Sequence, residues 1–486
     1  MDDQNLNRRE FVKNLSSAGI GLALTSPLAS AHTGSSGGRR RYAIVGTGSR
    51  HEMYREAILR QYKEHAELSG LCDINSGRVE LSRQRAAQAG AHVPGYAAGD
   101  FEKMIRETRP DTIIVTTVDG THDQYIVRAM EAGCDVVTEK PMTITAEKCQ
   151  RILDVRQRTG KRLRVTFNYR YSPPRTQVKE ILMSGAIGDV LSVDFHWLLN
   201  TIHGADYFRR WHSQKKNSGG LMLHKASHHF DLVNWWLSAV PESVTAIGKR
   251  EFYTPAMAAR LGLKEAHERC HTCTEKQTCT FLLDLAANPS LKALYLDQEN
   301  YDGYYRDKCV FRPDIDIEDT MNVLVKYDTG ATLCYSVNAF NSWEGYQIAF
   351  NGTRGRLEHS IVEQIYVSGT GGVQGGIAAG GVSTRVIPLR GAAQVHEPWT
   401  GEGGHGGGDK VMLDDIFLPS RPEDKYMRAS DERGGACSNL IGAAANSCFH
   451  TGQPVKISEI IKGLRRPDYP PMPGHTEPVP MPGRTI

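Results

Sequence analysis

The segment YAIVGTGSR, Tyr42 to Arg50, constrains the fold more than any other stretch: an apolar strand runs through Gly46-Thr47-Gly48 into the helix-patterned HEMYREAILRQY. A second strand, AELSGLCD, ends at Asp73, and a helix near Ser76 to Ala89, the strand DTIIVTT, a helix near Asp123 to Ala132 and the strand DVVTEKP follow. Strands alternating with helices predict the α/β class, here a doubly wound parallel sheet of the Rossmann type over residues 41–165. In that context the glycines let backbone amides approach a pyrophosphate at the positive end of a helix, so Gly46, Thr47, Gly48, Ser49 and Arg50 form the candidate cradle. Asp73 lies 25 residues past Gly48, where a carboxylate accepts hydrogen bonds from a ribose diol and repels a 2′-phosphate; NAD is favoured over NADP. His51 stands where a third glycine would, and its bulk predicts a helix pushed slightly off the strand.

A length of 486 residues predicts two domains. Past KRLRVTFNYRY the rhythm changes to longer, more polar strands, among them LSVDFHWLL, ESVTAIGKREFY and TMNVLVKYDTGATLCYSVNAF, whose Asp328-Thr329-Gly330 reads as a hairpin turn. They predict a C-terminal α+β domain over 166–465 with a large, mostly antiparallel open sheet, helices on one face and the other free for subunit contact. The glycine run 369–381 reads as a surface loop, and 466–486 as a Pro-rich tail.

The N-terminus, with paired Arg8 and Arg9, a weakly apolar stretch and small residues before Ala31, resembles a twin-arginine export signal over 1–31, followed by a linker over 32–40. That predicts an exported or periplasmic protein. Formal net charge is only +3, which gives no electrostatic case for nucleic acid, and no later segment has the length and apolarity of a membrane span. Cys270, Cys273, Cys279 and Cys309 fall in an insertion near 255–312. Four thiolates at that spacing suit a structural zinc or an iron–sulfur cluster, and equally two disulfides; either would staple a loop-rich insertion.

The segment SGGLMLHKASHHFDLVNWW, Ser218 to Trp236, places His224, His228 and Asp231 at helical spacing on one face. Together with GTGSR, the EKP turn Glu139-Lys140-Pro141, NYRYSPP and GAIGDV, it resembles the glucose–fructose oxidoreductase and inositol dehydrogenase family, Gfo/Idh/MocA. The resemblance implies an NAD-dependent oxidoreductase acting on a hydroxyl of a carbohydrate or cyclitol, assembled as a homodimer or homotetramer. It puts Lys140 beside the nicotinamide as the proton-transfer group, Glu139 in the same turn, Pro141 after a cis bond, His122 facing the nicotinamide, and His228 as the proton partner of the lysine. His224 stands where family members commonly carry aspartate. It is read either as a further acid–base or hydroxyl-binding group, or as a metal ligand with His228 if Asp231, His122 or His405 supplied a third. Tyr169, Arg170, Trp211, His224 and Asp231 are the expected substrate contacts. Export with little free NAD outside favours a tightly bound cofactor, recycled by a second sugar or within a redox-neutral glycosidase that oxidises C3 transiently. A non-catalytic sugar-binding protein is the third reading; the presence of both Lys140 and His228 speaks against it.

Overall fold

β1 (Arg40–Val45) pairs in parallel with β2 (Ala66–Asp73) on one side and with β4 (Thr112–Val115) on the other. With β3 (Gly95–Ala97), β5 (Asp135–Thr138) and β6 (Leu163–Val165) they form a six-stranded sheet of order β3-β2-β1-β4-β5-β6. In this doubly wound order the chain reverses between β1 and β4, and a crevice opens beyond their carboxyl ends. The computed structural model describes residues 38–264 and 268–474; the export signal expected at 1–31, most of the linker and the end of the Pro-rich tail lie outside the described residues.

Local chemistry sets the helices that flank the sheet. Asn75 accepts from the Arg78 amide to cap the helix Ser76–Gln88, and Thr145 does the same for Ala146–Thr159, which ends on left-handed Gly160. The first helix, His51–Glu56, widens into a π-helical turn over Ala57–Gln61. His51 is absorbed by hydrogen bonding: Nδ1 lies 2.5 Å from the Gly48 carbonyl and Nε2 2.8 Å from the Ser82 hydroxyl, so the buried ring ties the first helix to the second.

A nine-stranded sheet follows, of order β14-β13-β12-β11-β7-β10-β9-β8-β15. Its members are β7 (Val190–Asn200), β8 (Pro241–Lys249), β9 (Thr320–Tyr327), β10 (Thr332–Asn341), β11 (Glu344–Gly352), β12 (Gly355–Glu363), β13 (Ile377–Pro388), β14 (Gln394–His396) and β15 (Val455–Lys456). Only β7 and β10 pair in parallel; the other pairings are antiparallel, and β9 turns into β10 through Asp328-Thr329-Gly330, with Gly330 left-handed. β9 alternates buried Met321, Val323, Val325 and Tyr327 with exposed neighbours, as a half-buried strand must. The helix Ala226–Leu237 is buried on every side, and its tryptophans find acceptors there: Trp235 donates to the Tyr426 carbonyl and Trp236 to the Arg175 carbonyl. One apolar core runs from Ala43 and Val45 through Val165 and Phe167 to Trp197, Trp235 and Trp236, so the two sheets are welded by packing.

The insertion departs from expectation. All ten cysteines are free, and among the described residues no group of three or more His, Cys, Asp or Glu converges to hold a metal. Cys270 Sγ is engaged by the Arg209 guanidinium at 3.7 Å and the Leu283 amide at 3.5 Å. The staple is made instead by backbone bonds from Cys270 to Asp307 and from Cys309 to Glu268, and by Arg269 paired with Glu299 and Asp307. Cys270, Cys273, Cys279 and Cys309 therefore form neither the metal centre nor the disulfides that their spacing suggested.

Candidate active site

The turn after β1 is shaped for close approach. Gly46 has φ +94°, and a Cβ there would lie 2.5 Å from the Thr116 carbonyl carbon, whereas one at Gly48 would meet nothing within 4 Å. Backbone packs against β4 on one side and leaves room for a pyrophosphate on the other. Asp73 accepts from the Thr47 amide at 2.5 Å, the Thr47 hydroxyl at 3.1 Å and the Asn75 amide at 2.8 Å, so it braces the turn. Arg78 bonds Asp302 at 2.5 Å and lies 3.5 Å from Asp73. Its guanidinium is thus engaged by two carboxylates, an environment suited to a ribose diol and hostile to a 2′-phosphate. These residues fit NAD: 46–50 for the pyrophosphate, Asp73 for the ribose.

The insertion reaches back over this cleft. The Ser49 amide points at Tyr295 Oη at 3.4 Å, Asn75 Nδ2 donates to the Gln298 carbonyl at 2.9 Å, and Arg78 meets Asp302. Residues 295–302 thereby strap the mouth of the dinucleotide crevice.

The EKP turn stands at the carboxyl edge of β5. Glu139 is buried and accepts from Arg50 Nε at 2.7 Å and Tyr54 Oη at 2.6 Å, which fixes the turn to the first helix. The Lys140–Pro141 bond is cis. Lys140 Nζ donates to the His224 carbonyl at 2.7 Å. Burial lowers its ammonium to about 8, against the pull of Asp119 and Glu139 and with the push of Lys225 and Arg50. His122 does not project into open space: its ring nitrogens lie 2.8 Å from the Pro141 carbonyl and 3.1 Å from the Thr117 carbonyl, and it staples the two loops that flank Lys140.

Left-handed Gly219 and Gly220 introduce one turn of helix, Leu221–His224, before Ala226–Leu237 begins. His224 and His228 diverge from there. His224 Nδ1 lies 2.6 Å from Asp119 Oδ2, with its ring against the edge of His212 at 4.1 Å and Trp211 at 5.7 Å. His228 stacks on Tyr169 at 4.3 Å, and its buried Nδ1 has no hydrogen-bond partner among the described residues. Burial, then the Lys140 charge, holds both imidazoles well below their ordinary range, so both are neutral. Asp231 leaves the group: it forms a fully buried bidentate pair with Arg170 at 2.6 and 2.7 Å, which removes both from the substrate contacts expected of them. Tyr169 is likewise buried and backs His228, with the Arg175 guanidinium over its ring at 4.0 Å from the centroid. Trp211 is partly exposed beside His224 and stacks on His212 at 3.6 Å. Among the described residues no third ligand joins His224 and His228, and the metal reading of that pair is unsupported, as is that of the cysteine site.

One partner escaped the sequence, and one loop, raised there only as the source of a possible third ligand, is brought to the site. The carboxylate missing at position 224 comes from Asp119, in the loop after β4; its position at the carboxyl edge of the sheet was the available signal. The glycine-rich loop at 403–409 returns to the site: buried His405, with φ +53°, lies 6.4 Å from His228 and bonds Asp409, which in turn accepts from Asn168 and lies 3.7 Å from Arg50.

A Rossmann crevice with a lysine at its edge, closed by a large antiparallel sheet, defines a nicotinamide-dependent oxidoreductase. Residues 40–167 match the profile described as oxidoreductase family, NAD-binding Rossmann fold, and residues 179–457 that described as oxidoreductase family, C-terminal alpha/beta domain. The chain therefore belongs to the Gfo/Idh/MocA oxidoreductase family. YteT of Bacillus subtilis (strain 168), named as an oxidoreductase, is 35% identical over 84% of this chain and 96% of its own. Inositol 2-dehydrogenase of Salmonella paratyphi B (strain ATCC BAA-1250 / SPB7) is 28% identical over 35% of this chain and 47% of its own. The WlbA dehydrogenase of Chromobacterium violaceum, solved with NADH and UDP-GlcNAcA, shares the fold at TM-score 0.57 and 19% identity, covering 86% of this chain and 96% of that one.

Proposed function

We propose that this oxidoreductase acts on a hydroxyl of a carbohydrate or cyclitol, with NAD kept bound through turnover. The observation that carries the reading is Lys140: partly exposed, anchored by the His224 carbonyl, and lowered to about 8 by burial. Bound NAD+ supplies a hydride acceptor. Neutral Lys140 takes the hydroxyl proton, a role worth about 10²- to 10⁴-fold in rate. His228 and His224 flank it as hydroxyl contacts and proton partners, and Trp211 offers an aromatic edge to a sugar face. The inositol dehydrogenase relative supports the substrate class, and the strap at 295–302 supports a retained cofactor. Export by the twin-arginine route, which moves folded proteins, fits a cofactor loaded beforehand, and the open face of the nine-stranded sheet suits a homodimer or homotetramer.

The presence of two imidazoles beside the lysine also favours a second reading, a redox-neutral glycosidase. Transient C3 oxidation acidifies the C2 proton, elimination releases the aglycone, and hydration with return of the hydride completes the cycle; proton acceptors and donors beyond Lys140 are then needed.

Purified protein, with no cofactor added, incubated with aryl glycosides, free sugars and inositols in D2O separates the readings. Bound NADH that a second sugar discharges, without aglycone release, marks the oxidoreductase. Aglycone release with deuterium at C2 and no accumulated NADH marks the glycosidase. No turnover of any hydroxyl compound by the NAD-loaded protein would refute the substrate class.

A further inference from the structure

Among the described residues, Asp119 is the carboxylate that meets an imidazole of the helix segment at Lys140. It lies in the loop after β4, its side chain is 4% exposed, and it reaches 105 residues along the chain to contact His224 Nδ1 at 2.6 Å. The facing groups come from every neighbouring element: Lys140 from the turn after β5, His122 from the helix after Asp119, Tyr207 and Arg210 from the helix Thr201–Arg209 and its end, His212 from the turn that follows, and Lys225 next in sequence. His228, by contrast, has no carboxylate and an unpartnered Nδ1. An imidazole whose one nitrogen is bonded to a buried carboxylate is fixed in tautomer and direction, and its other nitrogen becomes the working one.

We infer that Asp119 is a positioning residue that orients His224, with Nδ1 toward the carboxylate and Nε2 toward the pocket, as the second proton-transfer group beside Lys140. The inference rests on the hydroxyl-oxidation reading above. In that reaction the O–H bond breaks with its proton passing to Lys140 Nζ, and the C–H electron pair leaves as hydride to NAD+. The ammonium proton then passes to His224 Nε2 and out to solvent, leaving a carbonyl compound and NADH.

The test uses the NAD-loaded protein labelled with ¹⁵N-histidine. Wild type is expected to show a downfield ring N–H resonance, lost in His224→Gln and in the near-isosteric Asp119→Asn, and kept in His228→Gln. On whichever compound of the sugar and inositol panel turns over fastest, Asp119→Asn should lower kcat about a hundredfold with KM within about twofold. Asp119→Glu should recover part of that loss, and circular dichroism should confirm that each variant is folded. A resonance absent from wild type, or persisting in Asp119→Asn, overturns the pairing. Wild-type kcat in folded Asp119→Asn overturns the positioning role. A panel without turnover overturns the hydroxyl-oxidation reading on which that role rests, whatever the resonance shows.

Discussion

Lys140 and Asp231 show how burial produces opposite roles from two charged side chains. Lys140 keeps part of its surface in the cleft, and its ammonium is lowered to about 8. Only the neutral amine has a lone pair, so kcat/KM for oxidation should rise with pH, reach half its plateau near pH 8, and level off above. Lys140→Met should remove that limb of the profile and cut the rate by about 10²- to 10⁴-fold with NAD still bound; a profile unchanged in the variant would place the base elsewhere. Asp231 is sealed against Arg170, each 1% exposed. Asp231→Ala leaves a guanidinium buried without its partner, at a cost of about 3–5 kcal/mol. Its thermal midpoint should fall sharply while KM of the folded fraction stays at the wild-type value, whereas a raised KM with unchanged stability would restore Asp231 to the substrate site.

At the scale of elements, the strap at 295–302 holds three points of the nucleotide half: Ser49, Asn75 and Arg78. Asp302→Ala removes the ion pair that closes its end, and NAD should then leave the purified protein about tenfold faster, a difference of roughly 1.4 kcal/mol. Release of bound NADH, followed by its fluorescence against excess NAD, measures this; an unchanged rate would show that the strap does not retain the cofactor. None of this was legible in the sequence, because the contacts join residues more than 200 apart and no periodicity records them. The Rossmann half, and the β9–β10 hairpin at 328–330 of the second sheet, were legible for the converse reason: the strand-glycine-helix turn, the alternation and the hairpin turn are local patterns. The cysteine spacing was local too, and it misled because spacing says nothing of the Arg209 guanidinium that reaches Cys270. His224 could be singled out, but its partner Asp119 required the fold to bring the loop after β4 against the helix segment.

One core passes from β1 to the tryptophans behind the nine-stranded sheet while a second covers the other face of the six-stranded sheet, and the first fixes how the two sheets should unfold. The tryptophans, Trp197, Trp211, Trp235, Trp236, Trp343 and Trp399, all lie in the region matched by the C-terminal alpha/beta domain, whereas bound NADH would report on the N-terminal crevice. Two domains with separate cores would lose these signals at different denaturant concentrations. Here Val165, Phe167 and Tyr169 at the junction are buried against both sides, so the interface cannot open without exposing core. Guanidinium titrations followed by tryptophan fluorescence and by far-UV circular dichroism should therefore give coincident midpoints, in apo and in NAD-loaded protein alike. The insertion is the expected exception: Leu285, Leu291, Leu294 and Tyr295 make a small core of their own, and its amides should exchange hydrogen before those of β1, β7 or the helix Ala226–Leu237. If NAD binding slows exchange over 285–302 while leaving the main core unchanged, strap and cofactor are coupled. If midpoints of the two halves separate, the continuous core does not act as one cooperative unit.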